Sequence, residues 1–173
     1  IVSVTVLGKA APKTISYRNG AKENDLICVS GDLGAAYAGL QVLEREKSVF
    51  LKNPEMQPAL DEFSYVVGRQ LRPVARVDVV RKLRELKVTP TAMIDVSDGL
   101  ASDLLHITRE SNVGAVVYEE KIPVDHQTND VADMFKIHPI TYAMNGGEDY
   151  ELLFTMPLKD YEKIKDVKDI FII

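Results

Sequence analysis

The 173-residue sequence has a single cysteine, Cys28, so no disulfide can close within the chain, and a reducing, cytoplasmic setting is expected. Cys28 lies in the apolar run Leu26-Ile27-Cys28-Val29 with no accompanying motif, which reads as core packing rather than catalysis. Histidine is also scarce: His106, His126 and His138 lack metal-site spacing. No stretch approaches the ~18 consecutive apolar residues of a membrane helix, so no membrane partner is expected. Positive charge is in the minority, with 21 Lys and Arg against 26 Asp and Glu for a net charge of -5, which argues against a nucleic-acid-binding surface. There is no G-x-x-x-x-G-K-[ST] phosphate loop and no H-R-D catalytic loop, so phosphoryl transfer by those two routes is excluded.

Hydrophobic residues make up 46% of the chain, enough to bury roughly 70% of the unfolded surface as one domain, or one domain with an appendage. Strand and helix patterns alternate. Strands are expected at 26–30, 92–96, 115–118, 150–155 and 169–173, and helices over about 35–45, 59–70, 78–87, from near Asp98, and 158–165. Pro123 and Pro139 interrupt a region of mixed character. This predicts an α+β fold, an α/β-type sandwich in which helices pack on a mixed sheet. The first residues, Ile1-Val2-Ser3-Val4-Thr5-Val6-Leu7, alternate with period two and are rich in β-branched side chains, so they read as a further strand. The chain thus opens and closes inside strand-like runs, as a fragment would.

Two stretches carry chemical suggestion. In Thr91-Ala92-Met93-Ile94-Asp95-Val96-Ser97-Asp98-Gly99-Leu100, an apolar strand ends in two carboxylates and a hydroxyl, and a glycine leads into a helix whose first turn adds Asp103. Three carboxylates crowded at a strand–helix junction repel one another unless a cation or N–H donors compensate, as in a metal–phosphate site. The same residues could instead serve the helix, with Ser97 or Asp98 as its cap and Asp103 at its positive end. In Asn145-Gly146-Gly147-Glu148-Asp149-Tyr150-Glu151, two glycines precede an acidic strand start. Alternation puts Glu148 and Tyr150 on one face and Asp149 and Glu151 on the other. One face could meet a cationic or hydrogen-bonding ligand; taken in isolation, the stretch reads more readily as a glycine turn into a solvated acidic strand start. Gly31-Asp32-Leu33-Gly34 opens a helix, as a turn or as an anion cradle.

Together with Tyr17-Arg18-Asn19-Gly20-Ala21 and the weaker Leu71-Arg72-Pro73-Val74-Ala75-Arg76, these motifs closely resemble the thiamine-monophosphate kinase family, in the same order and over essentially the whole chain. That family belongs to the PurM-like superfamily of aminoimidazole-ribonucleotide synthetase, selenophosphate synthetase and the hydrogenase maturation factor HypE. The resemblance implies that residues 1–16 are the last strand and linker of an N-terminal domain, and that 17–173 are a PurM C-terminal-like α/β domain shortened at its C-terminal end.

It also implies transfer of the γ-phosphoryl group of ATP to thiamine monophosphate, with Mg2+ as cofactor and a homodimeric full-length protein. By the same resemblance Asp95 and Asp98 would bind Mg2+, Arg18 and Ser97 would contact ATP, and Glu148 would contact thiamine monophosphate, with Asp149 turned away. Mg2+ wants about six oxygen ligands, and the family's other magnesium-binding aspartates match nothing in this sequence, so this chain alone is expected to be inactive. Two other readings stand: a related ATP-using enzyme with a different acceptor, such as a selenophosphate synthetase or HypE-like protein, or a non-catalytic ligand-binding module.

Overall fold

The structure, a computed structural model, describes residues 3–173, with the side chain of Lys13 also left undescribed. Four strands form one sheet: β1 (Asp25–Ser30), β2 (Ala92–Asp95), β3 (Leu152–Pro157) and β4 (Ile170–Ile172), in the order β2-β3-β1-β4. Every pairing is antiparallel. This corrects the expectation of a mixed sheet, because β3 inserts between β1 and β2 and runs against both. The α+β class with helices packed on a sheet stands.

Register follows from side-chain alternation. Leu153 pairs with Val29 on one side and Ile94 on the other, and these three face α4 (Leu100–Ser111), meeting Leu104 and Ile107. Phe154 pairs with Cys28 and Met93 and faces the opposite layer, where α3 (Val77–Glu85) and α7 (Tyr161–Ile164) bring Val79, Leu83 and Ile164. Cys28 is fully buried there and burial pushes its thiol up to about 12, so it packs and does not react, as its sequence context predicts. A third apolar cluster joins α1 (Ala35–Lys52), α2 (Ser64–Leu71), α5 (His126–Phe135) and α6 (Pro139–Asn145) through Val42, Val66, Val131 and Tyr142.

Several boundaries differ from expectation. The helix expected over 35–45 continues to Lys52. The mixed region contains two helices, and both prolines belong to their approaches: Pro139 occupies the first turn of α6, where a missing N–H is harmless. The strand expected at 115–118 does not form; Val113 and Val117 pack on the core while Val116 is exposed, since neither sheet edge pairs with this segment. Likewise residues 3–7 carry no strand among the described residues, and Val4, Val6 and Leu7 are exposed. Ile1 and Val2 lie outside the described residues. β-propensity yields a strand only where a partner ladder exists.

Candidate active site

The site grows from the end of β2. After Asp95 the chain turns through Val96, Ser97, Asp98 and Gly99 into α4. Neither Ser97 nor Asp98 caps that helix: the N-cap is Gly99, with φ 100° and no side-chain cap bond. The cap role imagined for these two residues is therefore not the one they play. Asp103 works in the reverse direction. Its Oδ2, almost wholly buried, accepts the backbone N–H groups of both Ser97 and Asp98 at 3.0 Å, bracing the turn from inside α4. Burial raises its carboxyl above the usual carboxylate range; the two N–H bonds pull it down, and the charges of Asp98 and Asp95 push it up again.

The glycine-rich turn after α6 closes on this one. Val96 N–H donates to Glu151 O, Tyr150 N–H to Val96 O, and Glu148 N–H to Ser97 O, at 2.8, 2.8 and 2.9 Å. These three bonds extend the β2–β3 pairing beyond the regular strands, with Glu148 and Tyr150 both left-handed at φ 62° and 51°. Gly147, at φ 68°, allows the approach: a Cβ there would sit 2.4 Å from Ser97 O. Asp95, Asp98 and Glu148 are exposed and Ser97 half-buried along this rim, so the structure brings four of the five expected site residues together. The Tyr150 hydroxyl donates to Glu148 Oε2 at 3.1 Å, and its phenol is raised by that hydrogen bond and by the charge of Glu148, with smaller contributions from burial and from the charges of Asp95 and Asp98.

Arg18 is not brought into contact with the other four. It is exposed beside the outer edge of β2, where Tyr17 O accepts Met93 N–H at 2.8 Å, and among the described residues it has no hydrogen bond or ion pair.

The other face of the same turn is buried. Asp149 and Glu151 are 3% and 2% exposed; alternation put them on one face, and that face is not the solvated one. Glu151 accepts Ser30 Oγ–H at 2.5 Å and pairs with Arg69 at 2.9 Å and Arg76 at 2.6 Å. Asp149 accepts the N–H groups of Gly34 at 2.7 Å and Ala36 at 3.1 Å, so it caps α1 from far along the chain. Burial pushes Asp149 up to about 6, against the pull of those N–H groups and of Arg69. The anion cradle considered at Gly31–Gly34 is thereby filled by the protein's own carboxylate. Sequence reading passed over Arg69, Ser30 and the structural part played by Arg76; nothing in their local patterns marks them. A groove of about 970 Å³ lined by Ile27, Leu104, Ile107 and Val113 contains none of the rim residues.

Asp95 and Asp98 present hard oxygen donors with no Lys or Arg paired to them, but among the described residues no three His, Cys, Asp or Glu side chains converge as a metal cage. Mg2+ is characteristically held by one or two carboxylates plus waters and substrate phosphates, and two exposed carboxylates without a cationic partner among the described residues are the donor type that ion takes. The pair fits that ion as a partial shell.

The sequence pattern of the AIR synthase related protein family, C-terminal domain, matches residues 22–162. This chain belongs to that family. It is 36% identical over 164 residues to the thiamine-monophosphate kinase of Buchnera aphidicola subsp. Schizaphis graminum, covering 94% of this chain and 46% of that protein. The solved structure of AaThiL complexed with AMPPCP and TMP superposes with a TM-score of 0.77 at 34% identity, covering 91% of this chain and 46% of its own. The chain thus spans about half the length of the relatives it matches. The structure of hydrogenase maturation protein HypE in complex with ATP, at 18% identity and a TM-score of 0.60, shares the fold. Among the described residues no helix is long and apolar enough to cross a membrane.

Proposed function

We propose that this domain serves a thiamine-monophosphate kinase, in which the γ-phosphoryl group of ATP passes to a phosphate oxygen of thiamine monophosphate, the bond to ADP breaking as the new P–O–P bond forms. The observation that carries the reading is the rim itself: backbone bonds from Glu148 to Ser97 and from Tyr150 to Val96 set an exposed acceptor-type carboxylate beside the exposed pair Asp95 and Asp98. Relatives named for this activity over most of the chain support it.

The attacking oxygen is already anionic at neutral pH, so the site needs no strong base; its work is to align and screen anionic groups. In this reading Asp95 and Asp98 hold Mg2+, which when bound neutralises charge on the transferring phosphates. Ser97 offers its hydroxyl to ATP at the turn that Asp103 keeps rigid, and Arg18 supplies positive charge to the nucleotide from the edge of β2. Glu148 meets the cationic thiazolium or the aminopyrimidine of the acceptor.

The test is direct. The intact protein, given Mg2+, ATP and thiamine monophosphate, should form thiamine diphosphate and ADP in equal amounts, and should not release ADP when selenide replaces thiamine monophosphate. ADP release with another acceptor and none with thiamine monophosphate would replace this reading with a different member of the superfamily.

A further inference from the structure

Glu148 has an unusual setting for a ligand-binding carboxylate. It stands beside two other exposed carboxylates, Asp95 and Asp98, and among the described residues no cation pairs with it. Like charges should drive a flexible, exposed glutamate outward into solvent. Its side chain has one hydrogen-bond partner among the described residues, the Tyr150 hydroxyl, which donates to Oε2 at 3.1 Å.

That partner is held in place at some conformational expense. Tyr150 and Glu148 both adopt the left-handed region, at φ 51° and 62°, which bulky L-residues seldom enter and which is found where surrounding structure over-determines the backbone. Two sets of contacts do so here. From above, the N–H groups of Glu148 and Tyr150 donate to Ser97 O and Val96 O at 2.9 and 2.8 Å. From below, the residue between them, Asp149, is anchored by Gly34 and Ala36 at 2.7 and 3.1 Å. With residue 149 pulled down and its neighbours fixed overhead, the side chains of 148 and 150 emerge together.

We propose that Tyr150 is a positioning residue for the acceptor substrate: its hydroxyl fixes the Glu148 carboxylate on the Asp95–Asp98 rim, so that the carboxylate is already in place when a cationic acceptor arrives. The inference rests on the kinase reading for the identity of that acceptor. The gain is in preorganisation, since a carboxylate already ordered loses less rotamer freedom on binding.

A double-mutant cycle in the intact protein tests it, using Tyr150→Phe, Glu148→Gln and the pair. Tyr150→Phe keeps the ring and its packing, so melting temperature and the KM for ATP should stay as in the unsubstituted protein. The KM for thiamine monophosphate should rise about tenfold. Because the tyrosine acts through the carboxylate, adding Tyr150→Phe to Glu148→Gln should change that KM less than twofold. Calorimetric titration with thiamine monophosphate, without ATP, reads the same cycle as Kd and separates the two claims. Binding without turnover would sink the kinase reading while the cycle in Kd still decides the role of Tyr150. Equal effects of Tyr150→Phe in both backgrounds, an unchanged affinity in the single variant, a joint loss for ATP and thiamine monophosphate, or no binding by the unsubstituted protein would each overturn the proposal.

Discussion

Changing Asp98 to Asn separates a metal ligand from a structural aspartate more cleanly than any other substitution in this chain. The side chain is exposed and makes no hydrogen bond among the described residues; what the fold uses is its backbone N–H, held by Asp103 at 3.0 Å. Asn keeps that N–H and the side-chain volume and removes one charge, which also relieves repulsion on Asp103. Stability should therefore change by no more than about 0.5 kcal/mol, as for surface substitutions away from packed features, and by about 2 °C or less in melting temperature. Activity should respond very differently. At an effective dielectric of 20, one charge pair 5 Å apart is worth about 3 kcal/mol. A divalent ion doubles the attraction, and rehydration of the ion returns part of it. A net loss on the order of 3 kcal/mol means a fall of about 10²–10³ in kcat, similar to removing one preorganised electrostatic contact elsewhere. The assay is coupled ADP release by the intact protein at saturating thiamine monophosphate, with Mg2+ varied. Turnover within threefold of the unsubstituted protein and an unchanged Mg2+ requirement would refute the metal role; a melting point lowered by more than about 5 °C would show that the charge serves the fold.

Glu148→Gln should weaken thiamine monophosphate binding at least tenfold in calorimetry and leave ATP binding within twofold, whereas equal losses would mark a folding defect. Asp103→Ala strands the N–H groups of Ser97 and Asp98, and should lower stability by about 2 kcal/mol, read as a drop in denaturant midpoint. Carboxyl-carbon NMR should show Asp149 titrating near 6. Since that value is raised above the ordinary 3.8, the unfolded chain releases its proton first as pH climbs, so this group's contribution to stability falls between about pH 4 and 6 and levels above, by about 3 kcal/mol in all. Asp149→Asn should remove that slope from the stability profile, and a profile that keeps it would reassign the titration.

The central strands are readable in the sequence because their apolar runs are short and bounded by turn residues, and β1 and β2 lie within a residue of where the pattern puts them. Two kinds of signal mislead. Pro123 and Pro139 read as interruptions, yet Pro139 begins α6, and Asp125, two residues after Pro123, caps α5 by accepting Gln127 N–H at 2.8 Å; a proline at a helix start is a beginning, not a break. The β-rich segments at 3–7 and 115–118 have the right residues and no neighbouring ladder. α1 overruns its expected end because no glycine or proline lies between Arg45 and Asn53. For the β-rich segments the missing information is tertiary; for the prolines and the end of α1 it is local.

The acidic turn shows why the candidate site was legible only in part. Alternation assigned Glu148 and Tyr150 to one face and Asp149 and Glu151 to the other, and the assignment holds although this stretch is not a regular strand. It holds because the inner pair answers to partners the local pattern cannot reveal: Arg69 and Arg76 balance Glu151, and the free N–H groups at the start of α1 take Asp149. Burying two carboxylates without those partners would cost far more than a turn can supply. The chain meets that cost with the N-terminus of α1 for Asp149 and with two arginines, Arg69 of α2 and Arg76 at the start of α3, for Glu151. The same anchoring leaves the outer pair no freedom except to face the rim where Asp95 and Asp98 stand. Scaffold and rim-facing residues are thus interleaved one by one along the turn, and the arginines that pair with Glu151 belong to the construction of that turn.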